Sequence, residues 1–296
     1  MEDPKAVTRL VPRKSAKIEV MPLASRGASL PHGTMGMDGK VTRDLASKPW
    51  RGKEEREIAK LRGQARSNPA GFPGRLLGFM FTQAGHHNFE SLNDDQRAVV
   101  VSSMLAADVL YMYIYLRYLC IGKDVRLNIV CDRCGRGFPF TADLETLDVK
   151  CVENPEDAEW TYELSDPFKL RGEIVEALEM VPMPWATMEN TIRNAAKDGL
   201  ENSSIKMDVM LGCIRFRSKD QKGDLVEHTL RPEDLDEMSK RDIEILTERI
   251  EANGIGPDMQ VTGRCPSCAG TFVHNLEWGY DNFFGSSSQP SAAGSS

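Results

Sequence analysis

The sequence predicts an α+β protein: a helical N-terminal part with one long apolar helix, packed on a small antiparallel β module that is split by a mixed insertion. Three observations predict it. An apolar run from Ala98 to Ile121 has helical punctuation at both ends, and from Val125 the pattern changes to short strand-like runs. The pattern Cys-x-x-Cys-x-x-x-Phe then occurs twice, at 131–138 and 265–272.

The apolar helix is the strongest single element. Ser91 or Asn93 caps it, Asp94 and Asp95 sit at the positive end of its dipole, and Gly122 ends it. These limits predict about 27 residues, or roughly 40 Å at 1.5 Å per residue. From Ala98 onward nearly every side is apolar, so it must be covered all round. Tyr111, Tyr115 and Tyr118 lie at i, i+4 and i+7 along one stripe. That stripe fits either a central core helix or a partly wet contact with a partner protein. The run is long enough for a membrane span, but Asp108 and Arg117 would each cost about 2.5–3.5 kcal/mol at mid-bilayer, so no membrane insertion is expected.

Before it, residues 1–48 mix Pro, Gly, Ser and basic residues without a sustained period and read as a flexible basic arm. Lys53 to Arg62 is a charged helical segment, and Leu76 to Phe81 a short apolar one, which makes 49–124 a helical region. After it, strand-like runs cover Val125–Cys131, Phe138–Ala142, Leu147–Val152 and Glu159–Leu164. Residues 185–198 read as a helix, and Lys206–Arg217 as a strand or a helix. Ser239 with Asp242 forms a capping box opening a helix with Ile243, Leu246 and Ile250 inward. A last strand pair, Met259–Arg264 and Thr271–Leu276, brackets the second cysteine pair. The region 125–284 is thus one unit, interrupted by an insertion at 153–256. Residues 285–296 are an uncharged Ser/Gly-rich tail expected to be disordered. Trp278, Tyr280, Phe283 and Phe284, just before it, either dock the chain end on its own domain or form an exposed plug for a partner.

Charge narrows the function classes. The formal net charge is −7, yet residues 1–52 hold ten Lys/Arg against five Asp/Glu, so the remainder carries −12. An acidic body argues against broad phosphate-backbone binding, which needs several cations on one surface. The N-terminus shows no signal-peptide pattern, so a reducing cytosol is the expected compartment. There, seven cysteines are better read as metal ligands or core residues than as a disulfide framework.

In each pair, two intervening residues let both sulfurs point at one metal, and a glycine lies within two residues of the second cysteine to relieve the tight turn. Cys131, Cys134, Cys265 and Cys268 are therefore expected to close one tetrahedral, structural Zn2+ site per chain, in a zinc-ribbon-like module. Such a site leaves no position for water or substrate. The 130 residues between the pairs are far more than a compact ribbon has, which makes the middle of the chain an insertion. A redox Cys-x-x-Cys reading fits less well, because those motifs open a helix after a strand whereas these lie in β-turns. Cys120, Cys151 and Cys213 read as small core residues, with Cys151 a spare ligand as the alternative. His86, His87 and His274 lack a surrounding ligand pattern. The sequence has no P-loop, GxGxxG, HExxH or Gly-x-Ser-x-Gly, so a binding protein is expected rather than an enzyme.

Over residues 48–284 the layout resembles the base-plate and tail-assembly protein family of contractile-tailed bacteriophages of the T-even type, and of related contractile injection systems. The likeness is carried by Gly52-Lys-Glu-Glu-Arg-Glu-Ile58, the long hydrophobic helix and the first cysteine pair with its strands. It ends in Asp242-Ile-Glu-Ile-Leu246, Cys265-Pro-Ser-Cys268, Phe272 and Phe283-Phe284. The N-terminal arm and the Ser/Gly tail depart from it. The resemblance implies a non-enzymatic assembly factor or minor subunit in the host cytoplasm, or in the tail particle. Its partners would be hub, spike or tape-measure proteins. The alternative function is a zinc-ribbon nucleic-acid-binding or transcription-associated module.

Overall fold

The computed structural model describes residues 18–64, 71–170, 172–198, 208–219, 225–276 and 283–284. Helices and antiparallel sheets alternate along the chain, in the α+β class. The expected flexible arm needs correction first. From residue 18 the chain forms β1 (Ile18–Pro22), a single helical turn α1 (Leu23–Arg26), β2 (Ser29–Met35) and β3 (Val41–Ser47). Sparse apolar residues cause this: Leu23, Leu30 and Leu45 are buried in the main core, and the polar residues between them hide the pattern. Residues 1–17 lie outside the described residues, as does the tail at 285–296.

Next come α2 (Gly52–Gln64), α3 (Phe72–Met80), β4 (Phe81–Ala84) and β5 (His87–Asn88), so the region expected to be helical also completes a four-stranded sheet, β2-β3-β4-β5. The long apolar helix is corrected too. It is two helices, α4 (Asp94–Ser103) and α5 (Ala106–Cys120), and the cap is Asn93, in a capping box with Gln96. The break lies at Met104 and Leu105, both extended in φ and ψ. There the backbone pairs with a distant segment: Trp185 N–H donates to the Met104 carbonyl at 2.7 Å, and Ala106 N–H to that of Met183 at 2.8 Å. This bridge, with Trp185 buried against the core, replaces the helical ladder that propensity favours. Among the described residues no helix is long and apolar enough to cross a membrane.

Helix α5 is held near each end by a buried charge. Asp108 accepts N–H bonds from His32 at 2.9 Å and Gly33 at 3.1 Å. Those donors are free because β2 is irregular between Ser29 and Thr34, where its register against β3 shifts. Burial pushes the Asp108 carboxyl above the ordinary range, against the pull of these N–H groups. Near the other end Arg117, also buried, donates to three carbonyls: Phe283 at 2.7 Å, Gly122 at 2.6 Å and Asp124 at 2.7 Å. The Arg117 cation near the C-terminal end also complements the helix dipole.

Beyond α5, β6 (Asp124–Val130) and β7 (Gly137–Asp143) form a hairpin, and β8 (Asp148–Val152) pairs with β1. The insertion then builds β9 (Trp160–Leu170), β10 (Glu173–Met180), α6 (Trp185–Asp198), a short helix α7 at 208–212, β11 (Ile214–Lys219), β12 (Leu225–Thr229) and α8 (Lys240–Asn253). The segment at Lys206–Arg217, ambiguous in sequence, is helix and then strand from residue 208 on. Strands β12-β11-β10-β9 form an antiparallel sheet whose inner face, with Tyr162, Leu178 and Phe216, packs with Leu246 of α8 in a second core. The insertion is not separate from the body, since Met183 and Trp185 belong to the main core. The chain returns through β13 (Gly256–Pro257), which pairs with β8 beside the point of departure, and ends in the hairpin β14 (Gln260–Arg264) and β15 (Thr271–Asn275).

At the start of α8 the Ser239 side chain caps the helix by accepting the Asp242 N–H at 3.1 Å, without the reciprocal half of the expected capping box. The buried Asp242 accepts from Tyr162 Oη at 2.7 Å, Ser165 N–H at 2.9 Å, Asp166 N–H at 3.3 Å and Ser239 Oγ at 2.7 Å, tying α8 to β9. Burial alone would raise this carboxyl, but the donors outweigh it and hold it well below the usual range. A folded-state pKa below the unfolded value of about 3.9 means that its stabilisation is complete above that value and is lost as pH falls through and below it. Asp242→Asn is therefore expected to lower the melting temperature at neutral pH. It should also flatten the acid dependence between about pH 4 and about pH 2, as read by thermal unfolding across that range.

Candidate metal centre

Two hairpins, β6–β7 and β14–β15, face each other through their apolar sides. Ile129 and Phe138 come from one and Phe272 from the other, with Cys131 and Cys265 in the same small core. Phe272 sits edge-on to Phe138 and Phe140, at centroid separations of 5.4 and 5.1 Å. Gly263 makes this possible, because a Cβ there would lie 2.6 Å from Phe272 Cζ and 3.1 Å from Phe140 Cε2.

The turns at the ends of the hairpins have the same backbone plan. In the first, Cys131 N–H donates to the Arg136 carbonyl at 3.0 Å, and Gly135 N–H to that of Cys131 at 2.8 Å. In the second, Cys265 N–H donates to Gly270 at 2.8 Å, and Ala269 N–H to Cys265 at 2.9 Å. The residue after the second cysteine is left-handed in both, Gly135 at φ 68° and Ala269 at φ 53°. The glycine expected to relieve the second turn has a different task. A Cβ on Gly270 would come within 3.0 Å of Arg133 Cδ and 3.3 Å of Cys268 Sγ, so it admits a side chain reaching over from the first turn.

These turns bring Cys131, Cys134, Cys265 and Cys268 together, with all four Sγ atoms within 4.8 Å of one another. Cys131 and Cys268 approach to 3.8 Å, as do Cys134 and Cys265. Burial raises the Cys265 thiol, but the N–H groups of Cys268 and Ser267 and the neighbouring thiols bring it down to about 6. At Cys134 the Arg136 N–H favours the thiolate, but burial and the other three thiols push it up to about 11. The cluster thus holds sulfur ligands at mutual distances compatible with a bound metal ion. Among the described residues it is the one such group.

The remaining candidates lie elsewhere. Tyr111 is fully buried and its hydroxyl donates to the Gly27 carbonyl, so it belongs to this chain's core rather than to a partner surface. Tyr115 stacks on it, and Tyr118, half-buried, donates to Glu145 at 3.1 Å. Phe283 and Phe284 are likewise buried rather than exposed as a plug: both pack on Tyr113, and Phe284 stacks on Trp50 at 5.5 Å. Trp278 and Tyr280 lie outside the described residues. Cys120, Cys151 and Cys213 stand apart from the cluster, with thiols raised by burial, Cys213 to about 11. His86 bonds Thr34 Oγ1, and His87 is held down to about 4 by burial and by His86. Neither joins a ligand group, and His274 lies in β15 opposite Val261.

Comparison of the chain with family models, with curated proteins and with solved structures gave no match. The base-plate resemblance rests on the residues alone.

The equivalent left-handed positions give a paired test. A non-glycine residue there costs roughly 1–2 kcal/mol, partly offset by the smaller unfolded-state entropy it brings. Ala269→Gly is expected to stabilise the folded chain by about 0.5–1 kcal/mol, and Gly135→Ala to destabilise it by about 1 kcal/mol. Denaturant unfolding checks both, and shifts of the same sign would contradict the equivalence of the turns.

Proposed function

We propose that the four cysteines hold one structural zinc ion in a split zinc-ribbon module. We further propose that the chain is a non-enzymatic assembly factor or minor subunit of a contractile tail or injection-machine base plate or hub. The 3.8 Å approaches between sulfurs of opposite turns carry the metal reading. Four thiolates at ~2.3 Å from a zinc ion form a tetrahedron with edges of about 3.8 Å. Thiolates favour zinc among the common divalent ions, and a four-sulfur shell leaves no site for substrate. The ion with four thiolates carries two net negative charges, which the adjacent Arg133 helps to offset. Metal-binding energy becomes folding energy there, so the ion is structural.

With the site closed, function falls to surfaces that the clamp positions. The base-plate resemblance supports a role in protein assembly, with hub, spike or tape-measure proteins as partners. A second reading, a nucleic-acid-binding ribbon, is favoured by the exposed Arg126, Arg133, Arg136 and Arg264 on the two hairpins. The charge on the thiolate shell works against it, since Arg133, beside Cys268, would then be met by two negative charges already in place.

An affinity-tagged chain expressed in the cells that build such a tail distinguishes these readings. The assembly role predicts recovery of hub, spike or tape-measure proteins in fixed ratio, insensitive to nuclease. Recovery of nucleic acid alone, lost steeply between low and high salt, would establish the second reading instead. Recovery of neither overturns both.

A further inference from the structure

In each turn one cysteine is accessible and one is not. Cys134 is exposed and Cys268 half-buried, whereas Cys131 and Cys265 are buried. The 3.8 Å approaches join unlike members across the turns: accessible Cys134 to buried Cys265, and accessible Cys268 to buried Cys131. Whichever sulfur a solvent-borne oxidant reaches first therefore has a protected thiol of the opposite turn as its neighbour. Closing from 3.8 Å to a disulfide length of about 2.05 Å needs only a small movement.

We infer that the centre is an oxidation-sensitive clamp in which peroxide forms the disulfides Cys134–Cys265 and Cys131–Cys268, releasing the metal while the two hairpins stay joined. This rests on the zinc reading proposed above. The Cys134 thiolate attacks peroxide, forming an S–O bond as the O–O bond breaks and hydroxide leaves. The Cys265 thiolate then attacks that sulfenic sulfur, forming the S–S bond and expelling the second oxygen as hydroxide. Two sulfurs together supply the two electrons that reduce one peroxide. A second peroxide reacts in the same way at Cys268, with Cys131 closing the bond. The divalent ion, left without thiolate ligands, departs.

The pairing decides the consequence. Disulfides within each turn, Cys131–Cys134 and Cys265–Cys268, would remove the metal and leave the hairpins joined by non-covalent contacts alone, among them those of Phe138, Phe140, Phe272 and Arg133. Cross-turn disulfides replace one joint by another. A chain carried from a reducing cytosol into an oxidising medium would keep its clamp.

The test uses the full chain loaded with zinc. It is treated with a small excess of hydrogen peroxide, residual thiols are alkylated, and an unreduced digest is mapped by mass spectrometry while a chromogenic chelator reads the zinc released. The expected result is a chain four hydrogens lighter than the reduced, metal-free one, release of the bound zinc, and the two cross-turn pairs as the dominant product. Cys134→Ser should give Cys131–Cys268 alone. Within-turn disulfides or sulfonates as the main product, or thiols that stay reduced with zinc retained, overturn the inference. An untreated chain without zinc would overturn the proposed metal instead, and the disulfide map would still decide the pairing.

Discussion

Four sulfur atoms from turns separated by 130 residues of chain meet within 4.8 Å, and in meeting they join two hairpins far apart in sequence. A two-stranded hairpin is marginally stable by itself in water. The core between these two consists of Ile129, Phe138, Phe272 and the cysteines Cys131 and Cys265, with Leu127, Phe140 and Cys268 at its border. The hairpins are also anchored on the main core, through Val125 and Ala142 of the first and Val261 of the second, and a metal ion held by the four sulfurs would add its binding energy to this small joint. The close approach of Phe140 to Gly263, and of Arg133 to Gly270, links the two hairpins directly.

The same closure principle recurs nearby. β8, before the insertion, and β13, after it, lie side by side, and Lys150 of β8 donates from Nζ to the carbonyls of Glu251 and Ala252 at the end of α8. A cation there meets the negative end of the helix dipole. The insertion is thus tied at its exit as well as through the cysteine turns, and its Met183–Trp185 segment reaches the main core, where it splits α4 from α5. Arg117 completes the arrangement by joining α5, the start of β6 and the segment at Phe283. Buried hydrogen bonds to a charged donor are among the stronger ones, so this residue links three segments that share no sheet.

Elements with strong local signals were legible in the sequence. Both cysteine turns, their flanking strands, the helix at 185–198 and the cap at Ser239 all appear where the residue pattern places them, because turn chemistry and alternation are local properties. What escaped was set by distant partners. No local pattern reveals that Met104 and Ala106 bond to Trp185 and Met183, so the apolar run reads as one helix. Asp108 and Arg117 were legible as charges that oppose membrane insertion, but their partners, backbone groups freed by the irregular β2 and by the chain end, were not. The ordered segment at 18–48 rests on three widely spaced leucines, too sparse for any periodicity. In the cysteine turns the pattern picked out the four residues whose sulfurs cluster, whereas the division of labour between Ala269, in the left-handed conformation, and Gly270, giving room to Arg133, is visible only in three dimensions.

The central claim is that one zinc ion bridges the two turns and thereby stabilises the fold. Native mass spectrometry of the purified full chain, alongside Cys131→Ser and Cys265→Ser and with melting curves for all three, tests it most directly. The account predicts one zinc per parent chain, and in each variant a loss of metal together with a lower melting temperature. A parent chain without metal, or a variant equal to the parent in both metal content and melting, would contradict it.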